Sequence, residues 1–304
     1  MMPGLQEMAK KEGAFAGGHR MCAGCPVPIF TKMLTRVTDK YEIVAGNATG
    51  CLEVASSIFP YSAWKIPWIH TAFENAGASM SGVEAMYKSL KRQGKINKKL
   101  KFVAIGGDGG TYDIGLQSLS GAMERGHDLV YICYDNGAYM NTGVQRSSAT
   151  PLGASTTTSP KGKKSSGRQG KRKDLTKIMV AHNIDYVAQA SIHKPVDLSN
   201  KLKKAIELDG PAFINILCPC ILGWKINPDM GVEAARVGVE TGFWPLYEVE
   251  NGEYNINYKP KYRPVTDWIF MQGRFRHLKS PENQPIVEEF QKEVDKNWEW
   301  LLKQ

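Results

Sequence analysis

Phe102-Val103-Ala104-Ile105-Gly106-Gly107-Asp108-Gly109-Gly110 and Leu129-Val130-Tyr131-Ile132-Cys133-Tyr134-Asp135-Asn136 decide how this chain folds. Each begins as an unbroken apolar run and ends in glycine or polar residues. Continuous rather than alternating hydrophobicity marks a strand buried on both faces, the habit of parallel sheets covered by helices. Residues 41–45, 184–187 and 212–217 repeat the pattern. Helix-length segments at 72–93, 115–125, 174–182 and 195–208 alternate with them. This alternation predicts an α/β fold built on a doubly wound, mostly parallel sheet. Such sheets bind ligands beyond the carboxyl ends of their strands, where Gly106–Gly110 falls. Glycines there let the backbone approach a phosphate, and a helix start beyond them points N–H groups at it. Asp108 offers a hard oxygen to Mg²⁺, and Asn136, 28 residues later, can present its amide oxygen to the same ion. Gly-Asp-Gly alone would pass for a tight turn. An Asn ending the next strand turns the reading toward a metal and diphosphate clamp.

The remaining composition excludes more than it assigns. The 304 residues are 42% hydrophobic and 23% charged, ordinary for a globular protein with one large domain or two. The apolar runs are strand-length, short of the ~20 residues that cross a bilayer. The N-terminal stretch lacks the apolar core of a secretory signal, so a cytoplasmic protein without a membrane role is expected. Seven basic residues crowd into 161–173 and account for most of the net charge of +9. No aromatic residue accompanies them, which predicts a flexible surface loop near an anionic partner or cofactor and no nucleic-acid contact. From about residue 227 the character shifts to a helix at 232–241, a hairpin and a final amphipathic helix at 284–302. The expected division is a cofactor domain at 1–226 and, at 227–304, a C-terminal extension packing on the core or on partner subunits.

Six cysteines in such a chain favour metal ligation or buried thiols over disulfides. Cys22-Ala23-Gly24-Cys25 is an adjacent pair, while Cys51 and Cys220 each follow a strand. Thiolates suit both iron–sulfur clusters and zinc. Ligands so dispersed meet only if the fold gathers strand ends at one edge. Cys218 competes with Cys220, because positions two apart share a strand face. Cys133, inside an apolar strand, reads as a core thiol.

Gly-Asp-Gly with the distant Asn resembles the thiamine-diphosphate motif. The segments GHRMCAGCPVPI, GNATGCLEVASSIFPYSAWKIPWIHTAFENAG, GDGGTYDIGLQSLSGAMERGHDLVYICYDNGAYMNTGVQ, CPCILGWK and MQGRFRHL resemble the β subunit of pyruvate:ferredoxin oxidoreductase and its 2-oxoacid relatives. The likeness runs from residue 18 to about 224 and weakens to the end. It implies thiamine diphosphate, Mg²⁺ and one 4Fe–4S cluster as cofactors. Asp108, Asn136 and the carbonyl of Ala138 would ligate Mg²⁺, and Gly107, Gly109 and Gly110 would line the diphosphate. Asn141 would face thiazolium and substrate as the catalytic residue, with Thr142 near the diphosphate; Cys22, Cys25, Cys51 and Cys220 would hold the cluster. The resemblance further implies α-, γ- and δ-type partner subunits, one of them supplying the carboxylate that activates the aminopyrimidine. Ferredoxin would receive electrons through a cluster-bearing subunit. The implied reaction is reversible oxidative decarboxylation of a 2-oxoacid, with pyruvate first, to acyl-CoA and CO₂. Oxalate or branched-chain 2-oxoacids are the alternative substrates, and a non-redox thiamine decarboxylase with structural zinc is the alternative class. Pro26-Val27 and Ile221-Leu222, beside the cysteines, depart from the family's pattern and leave substrate and cluster tuning open. His70, Glu74 and Asn75 either approach the cofactor pocket or start a helix, and His19 is a candidate supporting donor to the cluster motif.

Overall fold

The computed structural model describes residues 5–37 and 40–304; the first four residues of the N-terminal stretch considered above lie outside these. The strands are β1 (Glu42–Ala48), β2 (Trp68–Thr71), β3 (Leu100–Gly107), β4 (Leu129–Asp135), β5 (Lys161–Gly162), β6 (Ser165–Ser166), β7 (Tyr186–Ser191), β8 (Ala212–Leu217), β9 (Leu246–Glu250) and β10 (Glu253–Tyr258). Eight of them form one sheet in the order β10-β9-β7-β8-β4-β3-β1-β2, and β5 pairs with β6 in a small ribbon. From β2 across to β7 every pairing is parallel, while β9 and β10 add on antiparallel. Every residue of β4, β7 and β8 is buried, including the polar Gln189, Ser191 and Asn215, as expected of central strands covered on both faces. Helix Ala76–Arg92 packs on β3 and β1, and helix Pro195–Glu207 packs on β7 and β8.

The strand order decides where a ligand can sit. From β1 the chain steps outward to β2, then returns to the other side of β1 for β3 and continues to β4. The β1/β3 boundary is therefore a switch point, and the loops leaving it diverge to open a crevice. Thr49-Gly50-Cys51 leaves β1, Asp108 leaves β3, Asn136 leaves β4 and Cys218-Pro219-Cys220 leaves β8, all at the carboxyl edge.

The C-terminal hairpin is part of the main sheet, with β9 paired to β7 from Tyr186↔Glu250 to Gln189↔Tyr247. The final helix, Gln284–Leu301, buries Val287, Phe290, Val294, Trp298 and Leu301 along one stripe. Phe243 stacks on Trp268 (ring centres 4.0 Å apart) and on Phe290, which ties this helix to the body.

Candidate cofactor and metal site

Asp108 is 1% exposed and begins the turn into a π-helix, Gly109–Ile114. Its Oδ1 accepts from the backbone N–H of Asn136 at 3.2 Å, and its Oδ2 accepts from the Ser147 hydroxyl at 2.5 Å. Among the described residues no cation pairs with it, and burial together with the nearby Asp135 carboxylate pushes it up to about 8. The terminal amide of Asn136 lies 3.0 Å from both Asp108 Oδ1 and the carbonyl oxygen of Ala138. Turned one way, its NH₂ donates to both. Turned the other, three oxygens stand together with no donor among them, an environment that suits a cation. This all-oxygen set around an uncompensated buried carboxylate fits Mg²⁺.

The glycines are needed for close approach rather than for unusual dihedrals. A Cβ on Gly109 would lie 2.5 Å from the Tyr139 ring, and one on Gly110 would come within 3.0 Å of the Phe73 carbonyl. With Gly107 they line a cleft of about 520 Å³, together with Thr49, Cys51, Tyr134, Asn141 and Thr142. Asn141 and Thr142 lie at the exposed tip of a turn closed by the Tyr139–Gln145 bridge, and the Thr142 hydroxyl bonds Gln145 at 2.5 Å.

Cys22, Cys25, Cys51 and Cys220 line a second cavity of about 700 Å³ that shares Cys51, Asn136 and Asn141 with the first. Burial raises Cys25 to about 11 and Cys51 to about 12, with the other thiols of the group adding to both. Backbone N–H groups already aim at two of the sulfurs: Val27 at Cys25, and Gly223 at Cys220 (3.3 Å). Cys218 also reaches the cavity but is 1% exposed, and its N–H is tied to the Asp135 carbonyl. Among the described residues no three His, Cys, Asp or Glu side chains converge tightly enough to hold a single ion. Zinc gathers sulfur at about 2.3 Å. Four thiols spread around a cavity fit a multi-iron cluster instead.

A family profile described as "Thiamine pyrophosphate enzyme, C-terminal TPP binding domain" matches residues 48–216, more than half of the chain. The chain is 52% identical to pyruvate synthase subunit PorB of Thermotoga maritima, over 98% of this chain and 94% of that one. It is 53% identical to PorB of Methanocaldococcus jannaschii, over 96% and 97%. It belongs to the PorB family. Identity to ketoisovalerate oxidoreductase subunit VorB of Pyrococcus furiosus is lower, 42% over 96% of this chain and 93% of that one. In fold, the PorB-family chain is similar to a chain of the 2-oxoglutarate:ferredoxin oxidoreductase of Magnetococcus marinus (TM-score 0.57, 22% identity, 75% of this chain and 81% of that chain).

Several expectations need correction in this PorB-family chain. The basic stretch is exposed at Lys161, Lys163, Lys164 and Lys171, as a surface loop would be, but not throughout. Arg168 is buried, and Arg172 runs beneath the site, where its Nη2 pairs with Asp135 Oδ2 at 2.5 Å and donates to the Tyr112 hydroxyl at 2.6 Å. Its guanidinium also stacks 4.8 Å from the Trp244 ring centre. His19 stacks on Phe15 and lines a neighbouring cavity that shares Arg20, Ala55 and Ile58 with the thiol cavity. Glu74 is exposed in the turn before helix Ala76–Arg92, and Asn75 stands at that helix's N-cap but makes no side-chain cap bond, its Oδ1 buried without a partner among the described residues; the helix start is there, the expected capping bond is not. His70, 47% exposed, bonds Thr49 Oγ1 at 2.8 Å and so touches the cleft through that residue. The sequence reading does not find Ser147, and it assigns no role at the site to Asp135 or Arg172. Asp135 directly precedes Asn136 at the end of a buried strand, and that was the available signal.

Proposed function

We propose that Asp108, Asn136 and the Ala138 carbonyl hold Mg²⁺ and that the glycines at 107, 109 and 110, with Thr142, hold the diphosphate of thiamine diphosphate. In the same reading Cys22, Cys25, Cys51 and Cys220 hold a 4Fe–4S cluster and Asn141 faces the reacting carbon. The chain is a subunit of a thiamine-dependent 2-oxoacid:ferredoxin oxidoreductase, and pyruvate is the proposed substrate because identity to PorB chains exceeds that to VorB. The observation that carries the site assignment is the shared wall: an all-oxygen cage and a four-thiol cavity meet at Cys51, Asn136 and Asn141. When bound, thiamine diphosphate supplies carbanion chemistry at the substrate's carbonyl carbon and the cluster accepts electrons. The chain's own work is positional. Asp108 and Asn136 orient the metal, the glycines admit the phosphates, and Tyr134 and Phe73 keep water from the cleft floor.

The remaining partners are α-, γ- and δ-type subunits, ferredoxin and coenzyme A, in the cytoplasm. Residues 1–226 are taken as the cofactor unit and 227–304 as its extension, a reading supported by β9 and β10 joining the main sheet. The test is iron, sulfide, Mg²⁺ and thiamine content of the anaerobically purified complex, with kcat/KM for pyruvate set against branched-chain 2-oxoacids. Zinc in place of iron would end the redox assignment, and a preference for branched substrates would end the choice of pyruvate.

A further inference from the structure

Arg274 is buried at 2% exposure within the MQGRFRHL segment. Its guanidinium carbon stands 4.3 Å from the Trp224 ring centre and 5.2 Å from that of Phe275, and Nε donates to Gln272 Oε1 at 2.8 Å. Nη1 and Nη2 have no hydrogen-bond partner among the described residues. A buried cation with two idle donors is unfavourable unless a negative charge lies within reach. Burial depresses the guanidinium to about 9, and the groups that favour its charged form are Cys220, Asp135 and Asp108. Asp135 is already paired with Arg172, and Asp108 belongs to the oxygen cage. That leaves the thiol side unmatched.

Its place in the wall supports the same reading. A Cβ on Gly137 would come within 3.1 Å of Nη1, and Trp224, on which the guanidinium stacks, donates to the Asn136 carbonyl at 2.6 Å. Arg274 therefore packs, buried, behind the Asn136–Gly137 segment, whose Asn136 faces both cavities. We propose that Arg274 is a positioning residue for electron uptake, a fixed buried cation that counters the negative charge of the four-thiolate cluster and raises its reduction potential. Each electron accepted adds a unit of negative charge to the cluster, so a nearby cation favours the reduced form.

This inference rests on the cluster assignment above, and the test separates the two. An EPR-monitored redox titration of the assembled complex identifies this chain's cluster by the signal lost in Cys51→Ser. Arg274→Lys should keep the midpoint, and Arg274→Met should move it to a more negative potential. If Arg274→Met does not assemble, Arg274→Gln takes its place under the same criterion. An unmoved midpoint in the neutral variant overturns the inference. So does an unmoved midpoint accompanied by weaker thiamine diphosphate binding, which would assign Arg274 to the diphosphate. The absence of any Cys51-dependent signal would instead overturn the cluster assignment itself.

Discussion

Asp108 and Asp135 end neighbouring strands, both are buried, and they meet the problem of a buried charge differently. Asp135 has Arg172, Tyr112 and the Gly137 N–H. Asp108 has one hydroxyl and one backbone N–H, with the Asn136 amide beside it, and in the proposed function its remaining charge depends on Mg²⁺. Removing that dependence should show directly. Asp108→Asn in the assembled complex should bind thiamine diphosphate in the presence of Mg²⁺ roughly tenfold to hundredfold more weakly, about 1.4–2.8 kcal/mol, while iron content stays unchanged; calorimetric titration measures this. The sign of the pH effect follows from the raised value. Below about 8 the metal must displace a proton from Asp108, so Mg²⁺ affinity should rise with pH from 6 to 8 and level off above it. Flat affinity across that range would mean that Asp108 is not the ligand. Arg172→Met should destabilise the fold by about 3–5 kcal/mol, because it strands Asp135 in the interior. Denaturant unfolding reads the loss, and Arg172→Met combined with Asp135→Asn should recover part of it. Legibility at this scale follows from locality. Asp108 and Asn136 stood out because each ends an apolar run. Ser147 and Arg172 reach their aspartates from 39 and 37 residues away, and no local pattern announces such contacts.

Among the elements, the Cys22–Cys25 turn is the most constrained. Cys25 N–H closes it on the Cys22 carbonyl at 3.0 Å, and Gly24 adopts φ +76° with the Pro228 backbone where a side chain would go. A Cβ there would sit 1.9 Å from the Pro228 carbonyl oxygen. Gly24→Ala should therefore displace both thiols and lower the iron content of the complex while leaving Mg²⁺-dependent thiamine binding intact. Normal iron in that variant would place the cluster elsewhere. Pro26, one of the two departures from the family pattern, stands at the N-cap of helix Val27–Leu34 and makes no side-chain cap bond. The central strands were readable because burial on both faces leaves an unbroken apolar run. β2, exposed at Ile69 and His70, carries no such run, and the six-residue helix Cys51–Ser56 is too short for a periodic stripe. The hairpin at 246–258 was legible as a hairpin, but nothing local reveals that β9 docks on β7.

As a whole molecule the chain offers a cofactor site that opens outward. Phe59 is 93% exposed, Tyr61 78% and Leu222 68%; Leu222, with Val54 and Ile58, also rims the four-thiol cavity. Apolar side chains grouped in this way at the mouth of a functional cavity suit contact with another subunit. The purified chain alone, assayed anaerobically with a 2-oxoacid, coenzyme A and a viologen acceptor, should show no turnover. Activity should appear only when the other subunits of the complex are added, and sustained turnover by the lone chain would mean that both halves of the site reside here. The partition between the two cavities has its own consequence. Cys51, Asn136 and Asn141 face both, and Asn136 is anchored through Asp108, just past the end of β3, and through Trp224, in the short helix Ile221–Trp224. In the proposed function, donor and acceptor would then sit on either side of a partition whose central residue, Asn136, is held in place. Raising solvent viscosity should slow substrate entry and product release, yet leave the rate of cluster reduction after mixing with bound substrate untouched.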